Sequence, residues 1–258
     1  MQALASTPGQ QPHRSQFITA RGLRHHVLRW TVGDPARAAA QPPLVLLHGW
    51  MDVGASFQFL VDALTLDREV MALDWRGFGL TDGPAVDAYW FPDYLADLEA
   101  VLDALWPEQA IDLLGHSMGG NIAMSYAGVR PQRIRRLVNV EGFGLPETAP
   151  SEAPSRYAKW LDSLKAPSEL RPYASLGAVA QRLQKNNPLL APERARWLAS
   201  HWAREQADGT WALQADPAHK RINPVPYRKD EVLACWQRIS APLLWVEGDR
   251  SDMTVFWG

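Results

Sequence analysis

Ile111-Asp112-Leu113-Leu114-Gly115-His116-Ser117-Met118-Gly119-Gly120 runs without a break into Asn121-Ile122-Ala123-Met124-Ser125-Tyr126-Ala127. An apolar strand thus meets a helix-compatible segment at Gly115-x-Ser117-x-Gly119, the strand–turn–helix setting of a nucleophile elbow. Such a turn holds Ser117 in a strained backbone conformation that projects its hydroxyl. Gly115 and Gly119 on either side of it lack the Cβ atoms that would collide. The helix that follows aims its first N–H groups at the place where an oxyanion would form.

Two more stretches have the same grammar. Pro43-Leu44-Val45-Leu46-Leu47-His48-Gly49-Trp50 is a buried strand ending in His-Gly, and Glu69-Val70-Met71-Ala72-Leu73-Asp74-Trp75-Arg76-Gly77-Phe78-Gly79 is a strand ending in a glycine-rich loop. Taken in chain order with Gly115-His116-Ser117-Met118-Gly119-Gly120, they resemble the α/β-hydrolase family over most of the chain. His48-Gly49-Trp50-Met51-Asp52 and Ser56-Phe57 resemble its serine hydrolase-like branch. The resemblance implies a serine nucleophile at Ser117 and an oxyanion hole made by the backbone N–H groups of Trp50 and Met118. His48, Gly49 and His116 then shape the loops around the elbow, and Asp74 ties neighbouring turns together.

In that family the general base is a histidine beyond the last strand. The histidines here are at 13, 25, 26, 48, 116, 201 and 219, and none follows the last recognisable strand, Pro242-Leu243-Leu244-Trp245-Val246-Glu247-Gly248-Asp249. The resemblance therefore implies a serine hydrolase lacking its last helix and strand, with a nucleophile deprived of its base. His201 and His219 lie in an inserted segment and read as packing or surface residues. His25 and His26 read as edge residues of a strand over residues 23–31.

Composition agrees with one soluble α/β domain. The chain has 258 residues, 47% hydrophobic and 21% charged, enough for a sizeable core. A net charge of −2 supplies no electrostatic attraction for nucleic acid or an anionic membrane. The single Cys235 excludes an intramolecular disulfide framework and suits a reducing compartment; its neighbours Leu233, Ala234 and Trp236 make it read as a buried apolar group. Residues 1–16 are polar, with no apolar core of a signal peptide, and read as a disordered lead-in. No apolar run is long enough to span a bilayer, so a cytoplasmic protein is expected.

The strands alternate with helical segments, of which residues 93–105 show the clearest period, so a mostly parallel twisted sheet flanked by helices is expected. Ligands in such sheets sit beyond the carboxyl ends of the strands, where Ser117, Trp50, Asp74, Glu141 and Asp249 all fall. Residues 1–145 read as the first part of the core, 146–223 as a helical cap insertion without strand-like runs, and 224–258 as an incomplete C-terminal part. Helical stretches at 155–164 and 191–202 mark the cap, and 229–239 reads as a core helix. No repeat, metal-ligand cluster or cofactor motif stands out.

Two carboxylates could orient a base. Asp249 follows the last strand, where most of the family carries its acid, but sits among Arg250, Ser251 and Asp252 in a polar turn. Glu141 follows the strand 135–140, where some branches, including haloalkane dehalogenases, carry theirs, and an apolar strand end demands a partner for it. Glu141 is narrowly preferred. Trp50, with Phe143 and Met118 as further candidates, reads as the wall of the substrate pocket. The expected activity is hydrolysis of a small ester or related acyl substrate, with no cofactor. A carbon–carbon bond hydrolase, a thioesterase, or a catalytically impaired or truncated chain that keeps fold and pocket are the alternatives. An uncovered last strand would make the chain aggregation-prone or homodimeric.

Overall fold

The computed structural model describes residues 10–249 and 251. Nine strands and eight α-helices follow one another as β1 (His13–Ala20), β2 (Leu23–Val32), α1 (Pro35–Ala39), β3 (Leu44–Leu47), α2 (Gln58–Asp62), β4 (Arg68–Leu73), α3 (Phe91–Leu105), β5 (Ile111–His116), α4 (Met118–Val129), β6 (Ile134–Val140), α5 (Ala153–Ser163), α6 (Leu176–Asn186), α7 (Pro192–Trp202), β7 (Ala203–Glu205), β8 (Trp211–Leu213), α8 (Lys229–Trp236) and β9 (Leu243–Val246). Seven strands form one sheet in the order β1-β2-β4-β3-β5-β6-β9. From β4 to β9 all neighbours are parallel, while β1–β2 and β2–β4 are antiparallel. The central strands are covered on both faces, which is why β3 and β4 read as near-continuous apolar runs rather than alternations.

One face carries Leu47, Met71, Leu73, Leu98, Leu102, Leu113 and Ile122 in a core shared with α3 and α4; the other carries Trp30, Leu46, Val61, Val70 and Ala72. Helix α4 is buried from Gly119 to Gly128 because it lies on the sheet between α3 and α8. Gly128 is required there: a Cβ on it would stand 1.9 Å from the Cys235 carbonyl oxygen of α8. Beneath α3, buried Asp97 receives Arg76 Nε at 2.5 Å and Nη2 at 2.6 Å, with Arg21 Nη1 at 2.7 Å.

The structure corrects several expectations. Residues 13–16 belong to β1, so the polar lead-in is ordered from His13 on; its polar side chains suit an edge strand facing water. His25 and His26 are not edge residues, because β2 lies between β1 and β4, and both rings are buried. The segment 146–223 is not purely helical: β7 and β8 form a two-stranded antiparallel hairpin behind α7. Its helices bury Val179, Leu183, Ala195, Leu198 and Ala199 among themselves. Trp202 ties it to the sheet domain, donating from Nε1 to Ser56 Oγ at 3.1 Å, and Gly79 N donates to Gln214 O at 2.8 Å. Cys235 is only half-buried, since no residue of α8 is fully covered.

At the far edge, all four residues of β9 are exposed, from 37% at Trp245 to 59% at Leu244. No helix among the described residues is long and apolar enough to cross a membrane.

Candidate active site

Ser117 occupies the corner between β5 and α4 at φ 53° and ψ −117°, a left-handed conformation disfavoured for a residue with a Cβ. Its N–H donates to Val140 O at 2.8 Å, locking the corner to the end of β6. The flanking glycines permit the turn. A Cβ on Gly115 would lie 2.2 Å from Gly119 O, and one on Gly119 would lie 2.2 Å from Leu47 O. Met118 opens α4, so its N–H has no acceptor in its own helix.

Ser117, Met118, Trp50 and Glu141 line one cavity of about 330 Å³, together with Tyr89, Tyr94, Asn121, His219 and Arg221. Trp50 is 52% exposed, and its indole forms an open wall. Glu141 also has positive φ, 58°, and its N–H donates to Val246 O at 2.9 Å. Its carboxylate accepts from Gly248 N–H and from Ser251 Oγ, the latter at 2.5 Å, so the acid at the end of β6 is held by the turn after β9. Asn121 accepts Gly144 N at 2.6 Å and steadies the loop beyond Glu141.

Two sequence candidates are placed elsewhere. Asp249 is exposed and does not line the cavity. Phe143 is 4% exposed and packs against the Trp245 ring, 5.7 Å between centroids, rather than forming the pocket wall. The carboxylate of Asp74, although at a strand end, faces a second cavity.

The histidines divide by their partners. His48 is fully buried; Trp75 N donates to its Nε2 at 3.0 Å and its Nδ1 donates to Gly49 O at 2.8 Å. Burial pushes its pKa down, so the ring is a neutral strut for the loop before Trp50. Gly49 permits close packing beside it, with an added Cβ only 3.2 Å from His116 Nδ1 and from Ser117 Cβ. His219 enters the candidate cavity from the stretch between β8 and α8, sandwiched between Phe78 and Tyr89 with 3.7 Å between centroids on each side. Its Nε2 donates to Arg76 O at 3.1 Å and its Nδ1 accepts from Tyr94 Oη at 3.3 Å. Burial pushes it down to about 4. Among the described residues no histidine hydrogen-bonds Ser117.

Tyr89 and Asp216 escaped sequence reasoning. Tyr89 Oη donates to Asp216 Oδ2 at 2.6 Å, and burial followed by that carboxylate pushes the phenol above its usual range. The pair fastens the loop bearing His219 to the cavity floor across 127 residues of chain, a separation that leaves no local pattern. Among the described residues no group of three or more potential ligands could hold a metal ion.

The chain is similar to known hydrolases. It is 29% identical over 225 residues to a serine hydrolase-like protein of Danio rerio, an alignment covering 84% of this chain and 67% of that one. It is 29% identical over 254 residues to a 3-hydroxybutyrate-oligomer hydrolase of Cupriavidus necator, covering 93% and 82%. The solved thioesterase domain from the curacin biosynthetic pathway superposes with a TM-score of 0.80 at 26% identity, covering 94% of this chain and 85% of that domain. With the family model matching residues 42–256, this chain belongs to the α/β hydrolase fold family.

Proposed function

We propose that the cavity is the site of a serine hydrolase acting on a small ester or related acyl substrate, with Ser117 as nucleophile. The observation that carries this reading is the strained backbone of Ser117 at the strand–helix corner, opening into a cavity it shares with Trp50, Met118 and Glu141. Ser117 Oγ attacks the carbonyl carbon, and the N–H groups of Trp50 and Met118 receive the charge that develops on oxygen. Trp50, Tyr89 and Tyr94 supply an aromatic wall for the acyl or leaving group. Glu141, rather than Asp249, is the acid placed to orient a base, because it alone of the two lines the cavity. The similar proteins hydrolyse hydroxybutyrate oligomers or are named as a thioesterase, so oxygen esters and thioesters are the first substrates to try.

A second reading is favoured by one observation. His219, which lines the cavity, has both ring nitrogens engaged, and no other histidine among the described residues bonds Ser117. The chain would then bind acyl substrates and turn them over poorly. Loss of the histidine from a serine triad costs on the order of 10⁶ in turnover in subtilisin. Oxyanion stabilisation and binding leave about 10³ over water.

Hydrolysis of p-nitrophenyl butyrate by the wild type and Ser117→Ala, each with and without added imidazole, separates the two. Turnover lost in Ser117→Ala without imidazole supports the working enzyme. Imidazole stimulation of the wild type alone identifies an elbow that lacks its base. Equal rates throughout would refute a nucleophilic role for Ser117.

A further inference from the structure

Ser15, His26 and Asp74 come from three separate strands' worth of chain and meet in a hydrogen-bonded line. Ser15 Oγ stands 2.7 Å from His26 Nε2, and His26 Nδ1 stands 2.7 Å from Asp74 Oδ2. Asp74 accepts two further bonds, from Gly54 N at 2.6 Å and Leu80 N at 3.0 Å. Burial alone would raise this carboxyl, yet the bonds from His26 and Leu80 hold it below the usual carboxylate range. A carboxylate can only accept, so Nδ1 carries the proton and Nε2 presents its lone pair to the Ser15 hydroxyl. His26 is 4% exposed and Asp74 3%, while Ser15 on the edge strand β1 is open to solvent. Ser15 lines a cavity of about 260 Å³ with His13, Leu28, Val53, Leu80 and His201, and no residue is shared with the Ser117 cavity.

We propose that Ser15 is a second reactive hydroxyl, activated by His26 and acylated by small activated esters independently of Ser117. A hydroxyl on a base that is itself oriented by a third group is the arrangement that makes serine nucleophilic. Among the described residues the serine at the elbow has no such partner, and the serine on the edge strand has it. In the step, Ser15 Oγ bonds to the carbonyl carbon of the ester while its proton passes to His26 Nε2. The carbon–oxygen bond to the leaving group then breaks, and the departing alcohol or phenol takes up that proton. Water, with His26 again accepting a proton, releases the acid and restores Ser15. The cavity of about 260 Å³ has room for a small acyl group.

The test uses the full chain carrying Ser117→Ala, exposed to p-nitrophenyl acetate, acid-quenched and mapped by mass spectrometry. The expected result is acetylation of the tryptic peptide spanning residues 15–21 at least tenfold above that in the same protein unfolded in urea, and loss of the label in Ser117→Ala/Ser15→Ala. Labelling equal to the unfolded control would overturn the proposal. Because His26 is buried and its substitution can unfold the protein, Ser15→Cys provides the second measurement. Its thiol is expected to react with iodoacetamide at pH 7 at least tenfold faster than N-acetylcysteine. An equal or slower rate would show that His26 does not activate this position.

Discussion

His219 makes the protein acid-sensitive, and the amount can be worked from its setting. The ring is stacked between Phe78 and Tyr89, and in its neutral form both nitrogens are satisfied, Nε2 by Arg76 O and Nδ1 by Tyr94 Oη, while burial disfavours the charged form. Burial lowers its pKa to about 4, against about 6.5 in an unfolded chain. The folded pKa lies below the unfolded one, so the unfolded state binds the proton more readily. Stability is therefore fully present above about pH 6.5 and is lost as pH falls toward 4. Between pH 7.5 and 4.5 the linkage amounts to about 2.5 kcal/mol, a large part of an ordinary domain's stability. The assay is urea unfolding followed by tryptophan fluorescence at several pH values, comparing wild type with His219→Gln. Glutamine does not titrate, so the variant is less stable at pH 7.5 but loses about 2.5 kcal/mol less on acidification. His25, His48 and His201 are also lowered by burial and act in the same direction, but they are common to both proteins and cancel in the comparison. Parallel pH profiles for the two proteins would refute the reasoning.

Two other expectations follow from buried charge and open edge. Asp97→Asn takes away the buried carboxylate that holds Arg76 Nε and Nη2 and leaves the guanidinium only the half-exposed Asp93 at 3.1 Å, so it is expected to cost about 2–3 kcal/mol, read as a lowered urea midpoint with unchanged slope; a loss under 1 kcal/mol would show the pair to be solvated. The exposed apolar β9 is expected to pair with a second copy, so the wild type should gain apparent mass with concentration in light scattering while Leu244→Lys stays monomeric; identical scattering from both would rule out association through this edge.

The elbow was legible because its signals are local: an apolar run, glycines two residues either side of a serine, and a helix-compatible sequence lie within seventeen residues. The parallel sheet was legible for the same reason, its doubly covered strands reading as unbroken apolar runs. Glu141 lines the cavity, and a carboxylate at an apolar strand end is a local demand for partners that Gly248 and Ser251 meet; its role as the orienting acid stays a proposal. What stayed hidden depends on distant chain. His25 and His26 looked like edge residues because strand order is a long-range property, decided by β1 adding outside β2. The hairpin β7–β8 has three-residue strands, too short for alternation to register. Phe143 looked like a wall because its proximity to Glu141 in sequence says nothing of its side chain's direction, which is set by Trp245.

The grip of Gly248 and Ser251 on Glu141 also sets an order of events during synthesis. Ser117 and its corner need only residues up to β6, but the carboxylate of the cavity is anchored by a residue 110 positions later than itself. At about 5–20 residues per second that separation is roughly 5–20 s of translation. Throughout that interval the Glu141 carboxylate has neither of its two anchors, and the cavity takes its final shape only as β9 docks.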